Sequence, residues 1–148
     1  MRTTERQKSS PTDILKIYSD GGSRGNPGPS AFAVVVCRNG KIIHQHSEYI
    51  GIRTNNVAEY RGLIYGVGYA LDLRENDVEF IMDSELVIKQ MKGEYKVRSE
   101  ELLKMYNDVK AMASNFRILK FTHVRRYNSM ITLADKLLNM KLDAVGKT

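Results

Sequence analysis

Four carboxylates, Asp20, Glu59, Asp83 and Asp135, stand where a purely structural role is hard to supply. Asp20 and Asp83 each close a short apolar stretch, 14–19 and 78–82, just before a turn or a helix start. In open α/β sheets, ligands gather beyond the carboxyl ends of the strands. If those two strands are parallel neighbours, the two carboxylates lie side by side. Glu59 falls one turn into a helix, beside its apolar stripe, and Asp135 holds the matching place near the start of the last helix. Each has a plainer reading: Asp20 as an Asx-turn residue, Asp83 as a cap in competition with Ser84, Glu59 and Asp135 as favourable charges in a first turn. Four such residues at converging ends make one site the better account. Crowded carboxylates repel unless cations neutralise them. An all-oxygen donor set suits Mg2+ or Mn2+ rather than zinc. Two such ions about 3.5–4 Å apart can activate a water and stabilise the leaving oxygen of a phosphodiester.

Other combinations are poorer. His44 and His46 alternate along a strand with no third ligand and read as exposed strand residues; His123 ends a strand and reads as packing or as a neighbour of the site. No Ser/His/Asp set is defensible. The glycine-rich stretch Gly21-Gly22-Ser23-Arg24-Gly25-Asn26-Pro27-Gly28-Pro29 lacks the Gly-Lys-Ser/Thr ending of a phosphate loop, and Gly146-Lys147-Thr148 has no helix after it. The lone Cys37 excludes an intramolecular disulfide, closes an apolar run and suits a reducing, cytoplasmic setting. A net charge of +6 favours a polyanionic partner.

The elements that must hold these residues follow from periodicity. Residues 14–19 alternate as a strand ending at Asp20, and the glycine-rich stretch reads as a tight loop. Ala31 to Cys37 is continuously apolar, a strand buried on both faces. Asn39-Gly40 marks a hairpin, followed by a third strand from Lys41 to about Tyr49. The period then changes: Asn56 is a candidate cap for a helix with Tyr60, Leu63, Ile64, Val67 and Leu71 on one face. Gly62, Gly66 and Gly68 weaken that helix and suggest close packing on the sheet. Val78 to Met82 is a fourth strand; Ser84 and Ser99 cap two further helices, the second with Leu102, Leu103, Tyr106, Val109, Met112 and Phe116 inward. Residues 117–124 form a fifth strand, and a basic loop leads to a last helix with Leu133, Leu137, Leu138 and Leu142. The order βββαβααβα predicts an α/β fold: a five-stranded mixed sheet with helices on both faces.

A chain of 148 residues suits one domain. The expected layout is a flexible tail over 1–12, a domain over 13–143 and a flexible end over 144–148. No run is long enough to span a membrane and no secretory leader is legible; a monomer is the expectation for one compact unit.

The motifs Tyr18-Ser19-Asp20-Gly21-Gly22-Ser23-Arg24-Gly25-Asn26-Pro27-Gly28, Thr54-Asn55-Asn56-Val57-Ala58-Glu59-Tyr60, Asp83-Ser84-Glu85-Leu86-Val87 and Leu133-Ala134-Asp135-Lys136-Leu137 occur in series. In that order the chain resembles the type 1 ribonuclease H family, particularly its short archaeal-like and bacterial members. The resemblance implies the ribonuclease H-like fold. It also implies hydrolysis of the RNA strand of RNA–DNA hybrids with two Mg2+ ions (Mn2+ as substitute), leaving 5′-phosphate and 3′-hydroxyl ends. Asp20, Glu59, Asp83 and Asp135 would be the catalytic, metal-binding carboxylates. Asn26, Asn55 and Asn56 would read 2′-hydroxyls and minor-groove edges, and Thr54 would lie where the DNA-strand phosphate is gripped; Arg53 beside it joins that group on its charge alone, not through the resemblance. Two departures stand out. Where many members carry a loop histidine before the last helix, this chain has Arg125-Arg126-Tyr127-Asn128, leaving Arg125, Arg126 and the earlier His123 as candidates for that role, and the loop looks longer than usual. Ile131 stands where members often show Asn. The link from Gly93 to Ser99 has no room for an extra basic helix, so affinity falls to Lys89, Lys92, Lys96 and Arg98. The rival readings are a same-fold nuclease cutting double-stranded RNA or branched DNA, a catalytically silent hybrid-binding module, and a generic basic interaction domain.

Overall fold

The computed structural model describes residues 14–146. The hairpin comes first because its turn chemistry is local: Asn39 and Gly40 both take positive φ, 52° and 78°, as a two-residue turn matched to strand twist requires. It joins β2 (Gly28–Arg38) to β3 (Lys41–Arg53), while β1 (Leu15–Ser23) lies on the other side of β2, also antiparallel. The chain then enters α1 (Asn55–Asp72), β4 (Asp77–Met82), α2 (Glu85–Met91), α3 (Glu100–Ala113), β5 (Ile118–His123) and α4 (Ser129–Gly146). β4 pairs parallel with β1, and β5 parallel with β4, so the sheet order is β3-β2-β1-β4-β5. This is the five-stranded mixed sheet and βββαβααβα order expected from the sequence.

Two cores form because strand residues alternate between faces. On one face Ile17, Phe32, Val34, Phe80 and Met82 meet α1 to α3; on the other Ala31, Ala33, Val35 and Cys37 meet Leu138 and Leu142 of α4. β2 sits between them and is therefore apolar on both sides. The glycines of α1 divide. A Cβ on Gly66 would stand 2.5 Å from a Phe80 ring carbon and 2.8 Å from Ile17, so that turn rests directly on the sheet; Gly68 meets only Met112 at 4.0 Å.

Several boundaries differ from the sequence reading. β1 does not stop at Asp20: Gly21, Gly22 and Ser23 pair with Phe32, Ala31 and Ser30, leaving only residues 24–27 as the loop. The long partner strand β2 supplies the hydrogen bonds that keep the glycines extended. Thr54, not Asn56, caps α1, its hydroxyl accepting from the Val57 N–H. Ser84 and Ser99 cap α2 and α3 as expected. Leu103 is 41% exposed rather than inward. His44 and His46 are not free strand residues: each stacks on an α1 tyrosine, Tyr69 at 4.3 Å and Tyr65 at 4.2 Å between ring centroids. The loop before α4 spans residues 124–128, and Asn128 caps the helix by accepting from the Met130 and Ile131 N–H groups. α4 runs to Gly146, past the boundary expected at 143. The tail expected over 1–12 and the last two residues lie outside the described residues. Among those described, no helix is long and apolar enough to cross a membrane.

Candidate active site

The parallel ladder of β1 and β4 ends at the pair Ser19 and Met82. The next residue on each strand is therefore Asp20 and Asp83, at the same edge of the sheet. Glu59 reaches them from α1, which packs closely because Gly21 has no side chain. The Gly21 N–H donates to Glu59 Oε1 and to Asp20 Oδ1, both at 3.0 Å. One carboxylate oxygen from each of Asp20, Glu59 and Asp83 lies within 4.8 Å of the others. Asp135 stands outside that group of three but lines the same cleft, close enough for its charge to raise Asp20.

Electrostatics mark the cluster as incomplete on its own. Burial, then the charges of Asp83 and Asp135, push Asp20 up to about 8. Burial, then the charges of Asp20 and Asp83, push Glu59 well above the usual carboxylate range. Asp83 is raised by burial, opposed by Arg126 and His123. Three carboxylate oxygens this close, each with its acidity weakened by burial and crowding, are a donor set that a hard divalent cation fits.

A consequence for stability follows. Asp20 has an ordinary pKa of about 4 when unfolded and about 8 when folded, so unfolding releases a proton between those values. The metal-free protein is expected to lose stability as pH rises from about 4 to about 8, then level off. A divalent cation bound there would compete with those protons and should stabilise most at the alkaline end. Thermal melts in EDTA and in Mg2+ from about pH 5 to 9 test this; a Tm in EDTA that climbs across that range would contradict it.

Around the carboxylates the other sequence candidates separate. Asn26 and Asn55 form a brace: the Asn55 N–H donates to Asn26 Oδ1 at 3.0 Å, and the Ser23 N–H donates to Asn55 Oδ1 at 2.9 Å. Asn56 lies away from the carboxylate cleft, in a neighbouring groove with Gln90, Tyr95, Lys96, Arg98 and Ser99. Thr54 is the α1 cap. Arg53 is engaged by Glu101 at 2.7 Å. Arg126 lines the cleft, whereas Arg125 is exposed outside it, and His123 pairs across from Met82, one residue before Asp83. Lys89 is ion-paired with Glu85 at 2.9 Å and lies over the Tyr95 ring. Met91 ends α2 and Glu100 begins α3, with no further helix between.

Two cleft residues escaped the sequence reading: Arg24 and Asn139. The Asn139 amide donates to the Asp135 main-chain oxygen at 2.9 Å and to its Oδ1 at 3.2 Å. Arg24 donates to Asn139 Oδ1 at 3.0 Å and pairs with Asp143 at 2.8 Å. The spacing of four between Asp135 and Asn139 on one helix was the available signal. Nothing local pointed Arg24 at α4.

The profile of the family described as "Reverse transcriptase-like" matches residues 18–141. The "Bifunctional protein Rv2228c" of Mycobacterium tuberculosis is 42% identical over 134 residues, 89% of this chain and 36% of that protein. This chain thus spans about a third of that relative's length. The "Ribonuclease HI" of Halobacterium salinarum is 36% identical over 149 residues, 93% of this chain and 74% of that protein. Among solved structures, "LC11-RNase H1 in complex with RNA/DNA hybrid" superposes with a TM-score of 0.82 at 36% identity, covering 88% of this chain and 98% of that one.

Proposed function

Because this chain belongs to the ribonuclease H family, we propose that it is an endonuclease that hydrolyses the RNA strand of RNA–DNA hybrids, leaving 5′-phosphate and 3′-hydroxyl ends. The observation that carries this reading is the convergence of Asp20, Glu59 and Asp83 within 4.8 Å at one sheet edge. The hybrid bound to LC11-RNase H1, a protein of the same fold, supports the substrate class. A divalent metal is implied by the family and by the all-oxygen donors; Mg2+, two ions per site with Mn2+ as substitute, is our assignment. Bound there, the metal would supply activation of a water and neutralisation of charge on the leaving oxygen of the phosphodiester.

The chain's own residues do the rest. Asp20, Glu59 and Asp83 hold the metal, with Asp135 completing the set on the α4 side. The acceptor oxygens of Asn26 and Asn55 are taken by main-chain N–H groups, so their exposed NH2 groups remain as donors to ribose 2′-hydroxyls and minor-groove acceptors, the feature that distinguishes RNA. Asn56 adds an amide to the neighbouring groove. The Thr54 hydroxyl accepts from Val57 and still carries a proton to donate to a DNA phosphate. Arg53 would exchange Glu101 for that phosphate, at small cost, since an exposed ion pair is worth about 1 kcal/mol or less. Arg126 places a cation beside Asp83, suited to the cut phosphate and its release, with Arg125 as an outer contact. Proton transfer falls to His123, since a guanidinium does not release its proton in this pH range. Lys89, Lys92, Lys96 and Arg98 supply the cationic surface. One chain carries every group named, so a monomer suffices. The lone buried Cys37 suits the reducing cytoplasm. A silent hybrid-binding module gains nothing from clustered negative charge beside phosphates.

The test is an end-labelled RNA–DNA hybrid beside matched RNA–RNA and DNA–DNA duplexes, with Mg2+ or EDTA. Cutting of the hybrid's RNA strand in Mg2+ alone is the expected result. Cutting of duplex RNA as well would widen the substrate class. Tight hybrid binding with no cutting in Mg2+ or Mn2+ would overturn the assignment in favour of the silent module.

A further inference from the structure

Of the four carboxylates, Asp135 has the least local support. The residue one helical turn before it, Ile131, is buried in the core and offers no polar group, and Asn128 is spent as the α4 cap. Its polar partner comes instead from one turn later. Asn139 donates through Nδ2 to Asp135 Oδ1 at 3.2 Å and to the Asp135 carbonyl at 2.9 Å. A free amide could present either end to Asp135. Here Arg24 Nη2 donates to Asn139 Oδ1 at 3.0 Å, and a guanidinium can only donate, so the Asn139 oxygen is committed to Arg24 and the NH2 to Asp135. Asp143 anchors the guanidinium at 2.8 Å.

The loop that carries Arg24 is held on its other side as well. Asn26, two residues on, accepts from the Asn55 N–H at the start of α1, and Ser23 donates to Asn55. Residues 23–26 thus bridge the helix bearing Glu59 and the helix bearing Asp135. We propose that Arg24 and Asn139 are a positioning pair: Arg24 fixes the Asn139 amide, which orients the Asp135 carboxylate toward the metal site and ties it to the loop that meets the hybrid. This rests on the reading of Asp135 as a metal-holding carboxylate. Partners of this kind around metal ligands typically carry a 10–100-fold effect on metal affinity or activity, ~tenfold at the low end.

The experiment compares Asn139→Ala, Asn139→Asp, Arg24→Ala and Asp135→Asn with the wild type. It reads kcat and KM for an RNA–DNA hybrid, the Mg2+ concentration for half-maximal rate, and the Mg2+-induced rise in Tm. Asn139→Ala and Arg24→Ala should lower kcat by about tenfold with KM changed less than about twofold. They should raise the Mg2+ requirement and shrink the Mg2+-induced Tm rise, and Mn2+, which binds such sites more tightly, should restore much of the loss. Asn139→Asp keeps the acceptor for Arg24 but cannot donate to Asp135, so it should do no better than alanine. A rise in KM alone would make these residues hybrid contacts and overturn the proposal. A lower metal-free Tm with kcat and the Mg2+ response intact would make them structural and overturn it too. If Asp135→Asn is impaired while the Asn139 and Arg24 variants are not, only the positioning role fails. If Asp135→Asn itself matches the wild type, the reading of Asp135 fails and takes the proposal with it.

Discussion

Asp83→Asn is expected to abolish hybrid cleavage, with kcat reduced by about a thousandfold or more, equivalent to about 4 kcal/mol of transition-state stabilisation, in a protein that remains folded. Asp83 is not part of the packing. It follows the last residue of β4, is half-buried, and Ser84 rather than Asp83 caps α2. What it contributes is charge: its carboxylate is one of the three that converge within 4.8 Å, and it raises both Asp20 and Glu59 by repulsion. The neutral amide removes that repulsion while keeping the shape. The metal-free variant should therefore melt at or above the wild-type temperature in EDTA, as strained functional charges often allow. The same change should suppress the stabilisation expected from Mg2+ in the wild type. Single-turnover cleavage, with melts in EDTA and Mg2+, reads both. A variant cutting at near wild-type rate would remove Asp83 from the site, and a variant that fails to fold would assign it a structural role instead.

Gly21→Ala should damage both stability and activity, for a steric reason. A Cβ at this position would lie 2.5 Å from Ala58 C, 2.6 Å from the Glu59 nitrogen and 2.7 Å from Ala58 O. All three are main-chain atoms of α1, so no side chain can swing aside and the helix itself must retreat. Overpacking of this kind costs about 3 kcal/mol or more when the backbone cannot relax. The retreat also breaks the Gly21 N–H bond to Glu59 Oε1. A displacement of about 1 Å at a catalytic group can cost about 100-fold in rate. The control is the adjacent Gly22→Ala, whose Cβ would meet only Leu138 at 3.5 Å, an ordinary contact. Urea unfolding and hybrid cleavage of the two variants should separate sharply. Equal behaviour would mean that α1 is free to shift without cost.

The contrast between these neighbouring glycines shows where sequence reasoning stops. The alternation of β1, the apolar run of β2, the Asn39-Gly40 turn and the Ser84 and Ser99 caps are all legible, because each depends on residues within a few positions of one another. So is the order of elements, whereas the parallel pairing of β1 and β4 that sets Asp20 beside Asp83 is only a condition in the sequence and is supplied by the structure. Long-range geometry decided the rest. Gly21 to Ser23 read as loop by composition, yet pairing with β2 holds them as strand. Asn56 had the residue type of a cap, but the chain leaves β3 so that Thr54 meets the first free N–H groups of α1. Charge alone points Arg53 at a phosphate, yet Glu101, 48 residues on, holds it. Arg24 and Asn139 are 115 residues apart and carry no shared pattern; only the packing of α4 against the sheet brings them together. The sequence by itself determined which carboxylates end which elements, since periodicity and capping are local. Only the tertiary structure decided which of them touch, what orients them and which glycine lets them meet, because those contacts depend on how α1 and α4 dock on the sheet.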